Sequence, residues 1–385
     1  MSAYTHFRYI AYQVPTVGWS GANYLEMPLG NALGLPRYTG AGGIPAAITN
    51  ITNLDARNRV ARFYDVLERA RAQVTAPMMG DDKYTLKIFM APEFYFRPTT
   101  AGSTTVPQGP SYTYQEYKEI KTALRTLINK SDFINWLVIP GTIMWSGSGI
   151  IGKRPTTGGD TVYFNTALYM KVGNVKFGSQ VIEKEQSSHI DGLPTGRHSR
   201  VGPPSPTDKA TDEIWTIYQT TAKRRKHIFE HYGTHCGIEV CLEHGRAVLK
   251  DILSDTANWT EGLSRIRKSI SLQLIPAGGM TITNGNVAVK NNGYIMRTDG
   301  LGNNTVPPQT EIYQVTGYGN KDFGISVPVS YGYKPSYAQY GGPVAVQNTI
   351  HLNGVVAGLE VPDPGCTGGY FFNQDIIIYQ RQALP

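Results

Sequence analysis

Apolar residues recur along the chain with two periods, and their alternation outlines the fold. Phe7–Val14 is a short apolar run that predicts an opening strand. From Thr52 or Asn53 the period lengthens: Val60, Phe63, Tyr64 and Leu67 fall at i, i+3, i+4 and i+7 with Arg and Glu between them, the pattern of an amphipathic helix. Leu86–Ala91 is a second strand-like run, stopped by Pro92-Glu93. Thr113-Tyr-Gln-Glu116 has the spacing of a capping box, in which Thr and Glu side chains satisfy two free backbone N–H groups. It opens a helix with Tyr117, Ile120, Leu124, Leu127 and Ile128 on one face, and Trp136–Ile139 before Pro140-Gly141 reads as a third strand.

That β-α-β-α-β order predicts a layered α/β protein in which each helix covers one face of a sheet. Val162–Met170 and Lys176–Glu183 read as two further strands joined through Gly173-Asn174. Glu185 to about Asp212 is polar and rich in Pro and Gly, and is expected to be a long surface insertion. His235–Leu242 predicts a strand, Gly245 onward the start of a helix, and Ser269–Ile275 and Val287–Met296 more strands. Beyond Gly300 the chain turns Gly/Pro/Tyr-rich with short β signals at Glu311–Val315 and Ile376–Tyr379. The expected division is a main domain over 1–300 and an extension over 301–385 packed on it.

Composition narrows the class. At 385 residues the chain can bury a large core, and only 17% of it is charged. The net charge of +7 is spread out and does not by itself point to nucleic acid. No apolar run approaches the ~20 residues needed to span a bilayer, and Met1-Ser-Ala-Tyr-Thr-His lacks the features of a secretory signal. Three cysteines, Cys236, Cys241 and Cys366, cannot form a dense disulfide framework, so a reducing, cytoplasmic setting is expected.

Candidate chemistry sits where apolar strands end. Cys241 follows an apolar run and precedes Leu-Glu-His-Gly, where the chain must turn sharply. A thiol is a strong nucleophile once a base or nearby positive charge produces the thiolate, and the Leu242 N–H would be free to meet a developing oxyanion. Taken alone, a free cysteine is more often a small buried hydrophobe. Glu93 follows apolar residues and a proline, where burial lifts a carboxyl group toward the range of a general base; capping a helix or pairing with Arg97 is its ordinary role. Lys184 lies between Glu183 and Glu185, which alone reads as a surface charge cluster. Together, carboxylate, ammonium and thiol make a working set for attack on a C=O or C≡N carbon.

Ala-Pro-Glu93-Phe, the strand-end Lys184, and Gly-Ile-Glu-Val-Cys241-Leu-Glu243-His244 resemble, in this order, the three signature segments of the nitrilase (carbon–nitrogen hydrolase) superfamily. Val-Ile-Pro-Gly-Thr142, Phe164-Asn165-Thr166-Ala167 and Leu274-Ile-Pro-Ala are flanking features of the same resemblance, which runs from about residue 7 to 300. It implies a four-layer α-β-β-α sandwich with long insertions and a β-rich C-terminal extension. It further implies a Glu93-Lys184-Cys241 triad, an acyl- or thioimidate-enzyme intermediate, a small-molecule amide or nitrile substrate, no cofactor, and dimers or larger spirals. Tyr95, Trp145, Leu242 and Glu243 are expected to line the substrate site, with Ile150–Thr161 and Glu185–Asp212 as lids. The second glutamate that the family carries between the first glutamate and the lysine has no match in Gly141–Thr166. A binding protein on the same scaffold, or an acyltransferase using the same triad, are the alternatives.

Two rival signals are weaker. His231, His235, Cys236, Cys241 and His244 are zinc-ligand types, but along a strand His235 and Cys241 would stand about 20 Å apart, so no metal site is expected. Lys223-Arg-Arg-Lys-His227, with Arg197 and Arg200, is a dense basic cluster that could meet phosphate or an acidic partner, yet it lacks interleaved aromatics and reads as a solvated face.

Overall fold

The computed structural model describes residues 3–20, 23–26, 45–98, 111–148, 150–151, 154–155, 161–173, 177–184, 225–254, 270–302, 309–319, 337–352 and 374–385. The expected insertion and lid Glu185–Asp212, most of the other expected lid, Ile150–Thr161, and Arg197, Arg200, Lys223, Arg224 and Cys366 lie outside these residues.

Among the described residues, sixteen strands build the two main sheets. In chain order they are β1 (His6–Gln13), β2 (Thr85–Met90), β3 (Tyr112–Thr113), β4 (Trp136–Ile139), β5 (Thr142–Ser148), β6 (Thr161–Val172), β7 (Phe177–Glu183) and β8 (Ile228–His231). They continue as β9 (Thr234–Ile238), β10 (Leu272–Ala277), β11 (Tyr294–Asp299), β12 (Thr310–Gly319), β13 (Tyr337–Pro343), β14 (Val346–His351), β15 (Asp375–Tyr379) and β16 (Gln382–Ala383). The first sheet runs β14-β15-β1-β2-β4-β6-β5-β3, with β7 paired to β6 and β16 to β1. The second runs β8-β9-β10-β11-β12-β13. β1, β2 and β4 are parallel neighbours, as are β9, β10 and β11, and antiparallel strands flank both sets.

The helices form for legible reasons. α1 (Ala46–Thr49) is a single turn. α2 (Leu54–Val74) starts at Asn53, whose side chain accepts the Ala56 N–H. α3 (Tyr114–Ile128) starts at the capping box of Thr113 and Glu116, with both reciprocal bonds made. α2 and α3 bury their apolar stripes on the outer face of the first sheet, in a core that includes Val60, Phe63, Leu67, Ile120, Leu124, Phe89 and Val138. Phe7, Tyr9, Ile88, Leu137, Ile139, Ile238, Leu272, Leu274 and Met296 fill the space between the sheets. On the far side of the second sheet, Val248, Leu249 and Ile252 of α5 (Val248–Ser254), which follows the short α4 (Leu242–Gly245), pack on Ile275, Ile295 and Val315. The layers are therefore helix, sheet, sheet, helix.

Residues beyond 300 supply strands to both sheets. β12 and β13 complete the second, while β15 pairs antiparallel with β1 (Ile10 with Ile378, Tyr12 with Ile376) and places a late segment beside the first strand.

Two expected strands are shorter than their apolar patterns. His235–Leu242 is strand only to Ile238, because the chain then leaves the ladder to form the turn at Cys241. In Val287–Met296 the strand begins at Tyr294. Val287 and Val289 are buried, but the Ala288 N–H is taken by the Gln273 side chain and the Lys290 N–H by the Ile270 carbonyl, so no ladder forms there.

Candidate active site

Three strand ends converge at one edge of the sandwich. β2 runs out through Ala91-Pro92 to Glu93, β7 ends one residue before Lys184, and β9 leads through Glu239-Val240 to Cys241. Buried strands give rigid delivery, and their ends are where backbone can leave the ladder.

Glu93 and Lys184 form a fully buried ion pair, with Lys184 Nζ donating to Glu93 Oε1 across 2.7 Å. The same oxygen accepts the Asn165 side-chain amide at 2.8 Å. Such a pair repays its desolvation only when geometry and further hydrogen bonds are good, which suits it to a site and adds little to stability. The backbone around Glu93 is held from several directions. Its N–H donates to the Ala277 carbonyl (3.2 Å), its carbonyl accepts the Thr16 hydroxyl (2.6 Å), and the next N–H, of Phe94, donates to Thr142 Oγ1 (2.8 Å). Phe94 has φ 63°, an uncommon conformation for a bulky residue, and its ring lies 5.6 Å from Lys184 Nζ.

Cys241 occupies a sharp elbow at φ 49° and ψ −109°, between strand β9 and the single turn α4. Its N–H donates to the Pro276 carbonyl at 3.1 Å, and the His244 N–H donates to its carbonyl at 2.9 Å. A non-glycine residue in this region is strained, and strain of this kind concentrates at functional turns. The thiol lies in the surroundings of the Glu93 carboxylate, Lys184 and the Gly278 backbone. Burial first, and then the Glu93 charge, push its pKa well above the ordinary thiol value, against the opposing pull of Lys184 and the Gly278 N–H. Cys236, by contrast, faces the core between the sheets, and burial pushes it up to about 12.

The structure thus brings Glu93, Lys184 and Cys241 together. Leu242, the first residue of α4, has its N–H at a helix start where no intrahelical acceptor exists. Glu243 is turned back into the elbow, its Oε2 accepting the Val240 N–H at 2.7 Å. His244 is fixed as a brace: Nδ1 bonds Glu239 at 2.9 Å, Nε2 accepts the Thr283 N–H at 2.9 Å, and the ring is fully buried. The proton therefore sits on Nδ1, and neither nitrogen faces the thiol.

Two expected lining residues lie elsewhere. Tyr95 is buried on the helix side of the first sheet, its hydroxyl donating to the Arg59 carbonyl and its ring against Phe63 and Phe96. Trp145 faces the same way, stacked on Phe164 (4.1 Å) and Tyr117 (4.7 Å), with its indole N–H on Thr166 Oγ1. Strand parity is the cause: Trp145 pairs with Phe164, so Asn165, one residue on, points to the opposite face and reaches Glu93. Sequence reasoning assigned no role to Asn165 or Gly278, although both lie in or beside the flanking features. Gly278 passes so close to Glu93 that a Cβ there would stand 3.2 Å from Oε2 and 3.0 Å from the Phe94 ring. Among the described residues, no group of three or more His, Cys, Asp or Glu could hold a metal ion, and no helix is long and apolar enough to cross a membrane.

No protein-family model matches the chain, and no curated protein does. Among solved structures it is similar to an amidase from Nesterenkonia sp., at 10% identity over 80% of this chain and 83% of that one, with a TM-score of 0.37. A variant of that amidase, described as carrying the acetamide moiety of fluoroacetamide on its active-site cysteine, aligns at 10% identity over 80% and 83%, with a TM-score of 0.36. A glutamine-dependent NAD+ synthetase from Acinetobacter baumannii aligns at 12% identity over 80% of this chain and 41% of that one, with a TM-score of 0.33.

Proposed function

We propose that the chain is a carbon–nitrogen hydrolase acting on a small-molecule amide or nitrile, with Cys241 as nucleophile, Glu93 as base and acid, and Lys184 as oxyanion stabiliser. The observation that carries this reading is the buried 2.7 Å Lys184–Glu93 pair facing a thiol held on a strained elbow. A thiol kept protonated by burial needs a base in contact, and Glu93 is that base.

With an amide, the Glu93 carboxylate takes the thiol proton as sulfur attacks the carbonyl carbon. The C=O electron pair moves onto oxygen, where Lys184 and the Leu242 N–H meet the charge. As the tetrahedral centre collapses, the C–N bond breaks and Glu93 returns its proton to the departing nitrogen, leaving a thioester. Water, deprotonated by Glu93, then attacks that thioester, and the proton goes back to sulfur. With a nitrile, the first adduct is a thioimidate. Asn165, donating to Glu93 Oε1, helps orient the base.

The test is a panel of simple amides and nitriles with ammonia release measured, with and without hydroxylamine, alongside intact mass of the protein. The expected result is ammonia release that Cys241→Ala abolishes and an acyl mass shift mapped to Cys241. A substrate-dependent adduct with capture by hydroxylamine outrunning water would favour acyl transfer. Turnover undiminished in Cys241→Ala would overturn the assignment.

A further inference from the structure

The turn that carries Cys241 is closed twice over by side chains on either side of it. Cys241 has φ 49° and ψ −109°. These lie near the φ of about 60° and ψ of about −120° of the first central residue in a type II′ turn, a place that glycine usually fills. The closing bond of such a turn is present: the Glu243 N–H donates to the Val240 carbonyl at 3.1 Å. Glu243 Oε2 in turn accepts the Val240 N–H at 2.7 Å. Val240 and Glu243 are thus joined by two bonds of opposite sense, with only Cys241 and Leu242 between them. One residue further out on each side a second clasp forms, His244 Nδ1 donating to Glu239 Oε2 at 2.9 Å. Glu239 is itself held by the Leu249 N–H and the Gln273 side-chain amide, each at 2.6 Å. Glu239, Glu243 and His244 are all fully buried.

A cysteine in a glycine position is strained, and the strain persists only where the surroundings hold it. We infer that Glu243 is a positioning residue: nested inside the Glu239–His244 clasp, its side chain keeps the Val240–Glu243 turn shut and so holds Cys241 in a backbone conformation that cysteine by itself would leave. A carboxylate two residues from a nucleophile invites a second acid–base role. Here, however, Oε2 is engaged by the backbone, with His227 Nδ1 3.9 Å away and donating to the Ile238 carbonyl at 2.9 Å. The inference takes its purpose from the nucleophile reading above, but its first test uses neither substrate nor thiol.

The experiment compares Cys241→Ala with Cys241→Gly in the full chain by denaturant unfolding, first with Glu243 present and then in a Glu243→Ala background. Alanine is strained at this backbone position and glycine is not, so the ratio of the two unfolding constants reads the strain that the turn imposes. Loss of Glu243 lets the turn open, and the ratio is expected to fall by about ten-fold in favour of alanine. Comparing backgrounds removes what glycine does to the unfolded chain. Glu243→Gln loses the same charge as Glu243→Ala but keeps an oxygen for the Val240 N–H, and is expected to preserve the parent ratio. If Glu243→Ala does not fold by circular dichroism, Glu243→Leu takes its place, filling the space without an acceptor. An equal ratio in all backgrounds overturns the inference, and so does a Gln background that behaves like Ala. With Cys241 intact, Glu243→Ala is expected to lower kcat for ammonia release about ten-fold at little-changed KM, and Glu243→Gln to restore it. An amide turned over by Glu243→Ala at the parent kcat would also overturn the inference. A changed ratio in a chain that hydrolyses no amide would leave this inference standing while sinking the hydrolase reading.

Discussion

At the scale of single residues, the site separates acidity from catalysis. Glu93 raises the Cys241 pKa and, in the proposed reaction, also removes its proton, so neutralising it has two opposite effects. Glu93→Gln takes away the negative charge and leaves Lys184, so Cys241 alkylation is expected to shift to lower pH. Ammonia release is expected to fall by about 10²–10⁴-fold in the same variant, because the base is gone. Alkylation and turnover moving together would contradict the division of roles. A different group contributes to acid stability. Burial, aided by Lys171, pushes His231 down to about 3, so between its ordinary value and that pH the unfolded chain binds a proton that the folded chain refuses. Stability from this residue is full above the ordinary value and declines as pH falls, by at most about 1.4 kcal/mol per pH unit. Thermal melts of His231→Gln from pH 7 to pH 4 should show a shallower decline than the parent. Glu93 and Cys241 were legible as candidates because each ends an apolar run, where a reactive side chain is out of character, whereas Lys184, between two glutamates, stood out only through its place in the resemblance; Tyr95 and Trp145 were misplaced because an aromatic at a strand end looks alike on either face.

At the scale of elements, the sequence states most where backbone needs are unusual. Thr113 announced its helix because the first turn of a helix leaves N–H groups that only certain side chains satisfy, whereas apolar spacing announced the helix that Asn53 caps. Thr113→Ala should cost about 1 kcal/mol in denaturant melts while leaving alkylation of Cys241 untouched. Gly141 is the opposite kind of signal. It sits at φ 84° between β4 and β5, and a Cβ there would stand 2.2 Å from the Pro92 carbonyl, next door to Glu93. Gly141→Ala is therefore expected to lower turnover as well as melting temperature, because relief of that clash moves the peptide that carries Glu93. Unchanged kinetics in this variant would show that the two strand ends are not coupled. Val287–Gly293 misled because its valines are buried like strand residues while a glutamine side chain and a neighbouring loop take its hydrogen bonds. Burial, which apolar pattern reports, and ladder pairing, which it does not, part company there.

At the scale of the whole molecule, the two sheets share one apolar interior, and the site sits where their strand ends meet. Ile139 lies fully buried in that interior, so Ile139→Ala should cost about 2–5 kcal/mol, read as a shifted denaturation midpoint, by leaving a cavity between the layers. The layered α/β class followed from the order of periodic segments, but the partnership of β1 with β15 did not, because pairing across some 370 residues leaves no mark on local periodicity. That partnership has a consequence for how the protein comes into being. On the ribosome β1 emerges early, yet one of its two flanks stays open until Asp375–Tyr379 has been synthesised. Closing so long a loop is entropically slow, and an exposed apolar edge invites wrong company meanwhile. A nascent chain stalled before residue 375 would therefore be a client for chaperones, and β15 works as the latch that ends that dependence.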